Sequence, residues 1–180
     1  EKLQFMSEIF KKSYKANLPK AATEEAEFPK GKKGLVMCRD CGAVYFKKHW
    51  HENIEALNTA EATSFEKDTA VKFEICPACK LLKNHQYEGR VKIINVPEKS
   101  AAELEGLIRN FCGRAEGRDP MDRLIEIKKK DAIWEVWLTE NQLANKLAKK
   151  IADVFDKTKT TTHFAPEPSD VAEAVVEFHI

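Results

Sequence analysis

The sequence contains no run of eighteen apolar residues, and its first residues lack the charged-then-apolar pattern of a secretory signal. It therefore reads as a cytoplasmic protein with no membrane partner. Glycine and proline are sparse, seven of each in 180 residues, which excludes collagen-like and Pro/Gly-rich disordered classes. Catalytic signatures are missing too. No Gly-rich phosphate loop, H-E-x-x-H, G-x-S-x-G or His-x-Glu with downstream thiols occurs. The residues thus offer no nucleotide cradle, hydrolytic zinc pair, nucleophile elbow or deaminase centre. The expectation is a non-enzyme without a small-molecule substrate. Surplus charge is also nearly absent, at +1 overall. Its distribution is uneven, however: residues 1–51 hold eleven Lys/Arg against six acids, while 52–120 hold ten against twelve and 121–180 hold nine against eleven. A positive front of this kind can focus on a phosphate backbone.

A third of the residues are charged and 43% hydrophobic, enough for one globular domain or two small ones with a real core. Five cysteines stand out. Cys38-Arg39-Asp40-Cys41 and Cys76-Pro77-Ala78-Cys79 are two C-x-x-C knuckles. Thiolates spaced in this way can both face one tetrahedral ion, and the second pair would complete its shell. Four thiolates leave no open position, so the expected cofactor is a structural zinc ion held by Cys38, Cys41, Cys76 and Cys79. In a cytosolic setting disulfides are the poorer alternative, and a redox pair of C-x-x-C motifs is another reading. His49 and His51 could replace a cysteine as ligand, but four thiols already satisfy the ion. Thirty-four residues separate the knuckles, more than the ~15–20 of a compact zinc ribbon. The spacer suggests an inserted helix with Leu57 and Ala60 to Ala62 on its inner face. Cys112 follows Leu104, Leu107, Ile108 and Phe111 on an apolar stripe and reads as a small buried hydrophobe.

The stretch GLVMCRDCGAVYFKKHWH, 34–51, interleaves cations with flat rings around the first knuckle. A stiff metal-held segment could present such groups to phosphates and exposed bases together. Candidate RNA contacts are Lys32, Lys33, Arg39, Tyr45, Lys47, Lys48, His49, Trp50, Lys80, Lys83 and Arg90. A plainer reading stands beside this one. Val44 and Phe46 can alternate as strand core, Tyr45 and Trp50 can cover the ribbon, and Lys47 and Lys48 can be solvated.

The chain divides into a flexible basic arm at 1–33, a zinc ribbon with a helical insert at 34–86, and a third segment at 87–180. The arm's apolar stripe, Leu3, Phe5, Met6 and Phe10, is too short for a helix by itself. In the third segment, YEGRVKIINV reads as a strand with Val91 and Ile93 on one face. Ser100 and Glu103 form a capping-box pattern for a helix ending at Gly113. DRLIEIKK and AIWEVWL form a hairpin around Lys130-Asp131, with Trp134, Val136 and Leu138 on one face. Thr139 and Gln142 open a second helix with Leu143, Leu147, Ile151, Val154 and Phe155 in one stripe. After a loop containing Pro166 and Pro168, EAVVEFHI closes as a strand with Ala174, Val176, Phe178 and Ile180 inward. Strand, helix, two strands, helix, strand is the βαββαβ order of the ferredoxin-like fold. The fold class is therefore α+β, with Trp137, Glu135, Lys128, Lys92 and His179 as candidates for the open face of the sheet.

The order C-x-x-C-G, C-P-x-C-K, YEGRVKI and TENQLANKLAKKIADVF, from Leu35 to about Phe164, resembles the zinc ribbon and following domain of the archaeal and eukaryotic adaptor family that binds the large ribosomal subunit. It is similar also to short bacterial zinc-ribbon proteins of uncertain function, which share MCRDCGAVYFKKHWH. The resemblance implies ribosomal RNA and ribosomal proteins as partners, with the four cysteines as zinc ligands. The additional C-x-x-C pairs and C-terminal transport signals of the eukaryotic adaptor have no counterpart here, so nuclear export is not implied. Two functions follow as expectations: a zinc-stabilised RNA-binding factor on the ribosome, or a protein-interaction module in which the lysines are incidental.

Overall fold

A continuous apolar run after Gly34, Leu35 to Cys38, sets up the first layer. In the computed structural model, which describes residues 34–57, 70–164 and 171–179, strands β1 (Gly34–Cys38), β2 (Val44–Phe46), β3 (His49–His51) and β4 (Ala70–Glu74) form a sheet of order β3-β2-β1-β4. Leu35, Val44 and Leu57 are its buried centre, with Met37 and Phe46 against them. β1 is antiparallel to β2 but parallel to β4. Parallel neighbours need a crossover of a dozen residues or more. The long spacer between the knuckles supplies that crossover. Its described part holds no helix of any length: Ile54–Ala56 make a single 3₁₀ turn, in which the Ala56 amide donates to the Asn53 side chain at 2.8 Å. Leu57 is buried just beyond it, and Ala60 to Ala62 lie outside the described residues.

A short helix, α1 (Pro77–Asn84), then leads into a second layer. This layer contains β5 (Gly89–Ile94), α2 (Ala101–Glu116), β6 (Leu124–Lys130), β7 (Ile133–Leu138), α3 (Asn141–Val154), β8 (Thr158–Phe164) and β9 (Ala172–Phe178). The sheet order is β6-β7-β5-β9-β8. One core joins Val91, Ile93, Trp134, Val136, Leu138, Ala174, Val176 and Phe178 from the strands to Leu104, Ile108 and Cys112 of α2 and Leu143, Leu147 and Ile151 of α3. Alternation along β5, β7 and β9 is thus as the sequence predicts, and Cys112 is a buried core thiol whose pKa burial raises to about 12. Ile180 lies outside the described residues. The described residues all fall within one compact unit.

The chain is α+β, with two sheets, three helices and a four-cysteine cluster among the described residues. The large sheet departs from βαββαβ after α3. β7 is antiparallel to β5, so a single strand following α3 in the direction of β7 would also run antiparallel to β5. Instead β9 pairs with β5 in parallel, and the extra strand β8 lies outside it. TKTTTHF, to which the sequence pattern assigns no element, is that extra strand.

Helix ends differ from the capping motifs for local reasons. Ser100 ends the 3₁₀ turn Glu98–Ser100 with helical backbone angles (φ −98°, ψ −6°) and makes no side-chain cap. An N-cap oxygen reaches its amide only from extended backbone. α2 runs through Gly113 to Glu116, because Cys112 and Ala115 are buried on its inner face. Burial outweighs the ~0.5–1 kcal/mol cost of an interior glycine. Glu140, not Thr139, precedes α3. The Thr139 hydroxyl donates to Met121 O at 2.5 Å and accepts from the Arg123 amide at 2.7 Å. Val154 is exposed, whereas Phe155, the C-cap residue four positions after Ile151, is buried against Phe178.

On the face away from the helices, Arg90 pairs with Trp137 on one side and Glu173 on the other, while Lys92 and Lys128 both lie opposite Glu135. Lys128 Nζ sits 3.4 Å from the centroid of the Trp137 ring, and Tyr87 stacks on Trp137 at 4.7 Å. His179 is exposed beyond β9. Arg90 and Glu173 are only 5% and 4% exposed and form an ion pair of 2.7 Å. Removing one partner of a buried pair strands the other charge. Glu173→Ala is therefore expected to cost about 3–5 kcal/mol in urea denaturation, with Glu173→Gln milder. A loss under about 1 kcal/mol, the range of surface pairs, would show that the pair is solvated.

Candidate metal centre and basic turn

Both knuckles hang from the same end of two parallel strands. Cys38 closes β1 and pairs in register with Glu74, the last residue of β4, so Cys76 follows directly alongside. The first knuckle turns tightly: the Cys38 amide donates to Ala43 O at 2.7 Å and the Gly42 amide to Cys38 O at 3.0 Å. Gly42 has φ +77°, which glycine adopts without strain. The Arg39 amide donates to Glu74 O at 2.9 Å, tying the turn to β4. At the second knuckle Cys76 is the N-cap of α1 with Pro77 at the first helical position, where a missing N–H costs nothing. The Cys79 amide donates to Cys76 Sγ at 3.4 Å, and the Cys76 amide donates across to Cys38 Sγ at 3.2 Å.

The ligand atoms of Cys38, Cys41, Cys76 and Cys79 all lie within 4.8 Å of one another. Cys41 Sγ and Cys76 Sγ are 3.7 Å apart. A tetrahedron with metal–sulfur bonds of ~2.3 Å has edges of about 3.8 Å, whereas a disulfide spans only ~2.05 Å. The four cysteines can therefore hold one metal ion, and a soft, closed set of four thiolates is compatible with zinc. Cys38, Cys76 and Cys79 are buried with Ala43 and Ala78, and Trp50, Ile75 and Met121 pack on them. Neither His49 nor His51 belongs to this cluster.

The surroundings treat the thiols unequally. Burial acts to raise Cys38, but the amides of Cys76, Cys41 and Asp40 donating to its sulfur outweigh it and bring the pKa down to about 6. Burial pushes Cys79 up to about 11 and Cys76 further in the same direction. A bound divalent ion would override these differences, because each coordinating thiol would give up its proton.

The proposed RNA contacts fall into three groups. Arg39, Lys47, Lys48, His49 and Lys80 are exposed around the knuckles and the β2–β3 turn. Tyr45 and Trp50 face each other across that hairpin with ring centroids 5.3 Å apart, both half-buried. Lys83 is exposed but held by Asp40 of the first knuckle, Nζ to Oδ2 2.8 Å. Val44 and Phe46 are core, as the plainer reading holds. Arg90 does not join the group, because it is buried in its ion pair on the large sheet. A buried, paired guanidinium cannot reach phosphate, so this assignment is corrected. Lys32 and Lys33 lie outside the described residues.

The hairpin turn is unusual. Phe46 pairs with His49, leaving Lys47 and Lys48 as a two-residue loop with φ +48° and +68°. Such turns favour Asn-Gly, since residues with a Cβ are strained at positive φ. Beside this turn lies a cavity of about 330 Å³ whose walls include Lys48, Trp50, Met121, Asp122, Glu140 and Lys146. Burial, then the carboxylates of Glu88, Asp122 and Asp119, raise Glu140 to about 7. Sequence reasoning missed Met121 and Arg123, whose Nη1 donates to Cys79 Sγ at 3.4 Å. No motif links positions 44 residues apart.

Cys76 and Cys79, raised by burial, carry protons at pH 7 in the metal-free protein, and a metal must displace them. Zinc binding at pH 7 is therefore expected to release at least two protons, and apparent affinity should rise with pH. Calorimetry in buffers of different ionisation enthalpy measures this, and release of less than one proton would contradict it. Comparison with protein-family models, curated proteins and solved structures finds no match to this chain.

Proposed function

We propose that the chain is a non-catalytic, zinc-stabilised RNA-binding factor of the cytoplasm that associates with the ribosome, the large subunit favoured, in assembly, hibernation or quality control. The observation that carries this reading is the Lys47-Lys48 turn. Two lysines occupy a left-handed loop where Asn-Gly would be cheaper by ~1 kcal/mol or more per residue. Backbone strain of this kind clusters at functional sites, although His85, Asn95, Asp131 and Lys157 also have positive φ. Arg39, His49 and Lys80 are exposed nearby, and the half-buried rings of Tyr45 and Trp50 lie 5.3 Å apart in the same hairpin. Cations with rings suit a nucleic-acid backbone with splayed bases. A zinc ion on the four cysteines would stiffen the segment that carries them.

The double substitution Lys47→Asn/Lys48→Gly separates function from fold. It should raise the denaturation midpoint of the protein, because it relieves the turn. At the same time it should weaken co-sedimentation with large ribosomal subunits at low salt, and lower the salt dependence of binding by about 1.5 in log–log slope, the share of two phosphate contacts. A stabilised variant that sediments with subunits as well as the wild type would refute the reading.

A second reading rests on β4, the outer strand of the small sheet, where Val71 and Phe73 are 44% and 51% exposed. Large apolar side chains on an edge strand suit a protein partner. Under that reading Phe73→Ser, not the lysine substitutions, would abolish subunit association.

A further inference from the structure

Arg123 stands between the two layers. It lies in the segment joining α2 to β6, with its side chain only 11% exposed. Three contacts fix it. Its Nε donates to Pro120 O at 2.6 Å, its amide to Thr139 Oγ1 at 2.7 Å, and its Nη1 points to Cys79 Sγ at 3.4 Å. Thr139 in turn donates to Met121 O, and Met121 packs on the cysteine cluster. The guanidinium is therefore aimed at the sulfurs by backbone groups on its own side. Its carboxylate neighbour, Glu116, is about half exposed at 3.4 Å and competes weakly.

Four thiolates around a divalent ion carry a net charge of −2, most of it inside a buried cluster. Such charge needs compensation or hydrogen bonding. Lys83 is engaged with Asp40, and Arg39 and Lys80 are exposed. Arg123, its side chain 11% exposed, is a cation that reaches a ligand sulfur from inside the fold. Its planar fork suits this task better than an ammonium.

We propose that Arg123 is a positioning residue of the metal centre: it donates to Cys79, offsets the surplus charge of the four thiolates, and so makes the centre common property of the small sheet and the Pro120–Arg123 corner of the large one. Metal loss then releases that corner. The inference rests on the four-cysteine centre and is independent of RNA binding.

The test uses the full chain loaded with zinc, its metal content measured first. Zinc transfer to the chelator 4-(2-pyridylazo)resorcinol is timed for wild type, Arg123→Gln and Arg123→Lys. Partners that hydrogen-bond metal ligands typically tune affinity 10–100-fold. Arg123→Gln should therefore release zinc about tenfold faster or more, and alkylation of the thiols by iodoacetamide should quicken in parallel. Arg123→Lys, which keeps the charge, should recover much of the loss. In the wild type, chelation should also raise hydrogen exchange at the amides of Arg123 and Thr139 while the inner faces of α2 and α3 stay protected. Equal release rates for wild type and Arg123→Gln would overturn the proposal. If Arg123→Gln does not fold, the wild-type exchange decides, and unchanged protection at Arg123 and Thr139 overturns it. A wild type that takes up no zinc removes the centre itself, a result distinct from a metal-binding wild type with an indifferent Arg123.

Discussion

The convergence of four sulfurs on one point organises the first half of the described chain. The small sheet has strands of three to five residues and a buried centre of Leu35, Val44 and Leu57. A core of this size supplies little hydrophobic stabilisation. Bonds from an ion to Cys38, Cys41, Cys76 and Cys79 would contribute folding energy that the apolar residues cannot. Parallel pairing of β1 with β4 makes this possible, because it brings both knuckles to one edge of the sheet. The spacer is long because parallel strands demand a crossover.

Charge follows from that centre. The knuckles are bordered by Asp40 held to Lys83 on the outside and by Arg123 on the inside. Next to the basic turn, Lys48 and Lys146 share the walls of one depression with Asp119, Asp122 and Glu140, and burial, with Glu88 and the two aspartates nearby, lets Glu140 hold its proton to about neutral pH. The depression thus carries both signs of charge. The buried Arg90–Glu173 pair, by contrast, is internal to the large sheet and joins β5 to β9.

Periodicity was legible wherever side chains alternate strongly. Val91 and Ile93, Trp134, Val136 and Leu138, and the α3 stripe from Leu143 to Ile151 sit where their spacing predicts. The four cysteines converge as their spacing implies. β8 was not legible, because TKTTTHF has no apolar alternation, and its threonines offer only a weak β-propensity signal. That omission also hid the parallel placement of β9. Capping patterns misled at Ser100 and Thr139 because the same hydroxyl serves a cap or a tertiary bond, and only packing decides which. Arg90 looked like any surface arginine until Glu173, across the sheet, was placed beside it. Arg123 carries no local mark at all, since its partner sulfur is a tertiary neighbour.

The most direct test of the central claim is the metal content of freshly isolated full-length protein, read by native mass spectrometry beside elemental analysis. The account predicts a single zinc ion per wild-type chain and its loss in Cys76→Ser, with the small sheet unfolding. A metal-free wild type whose residues around the knuckles remain folded and protected from exchange would contradict it.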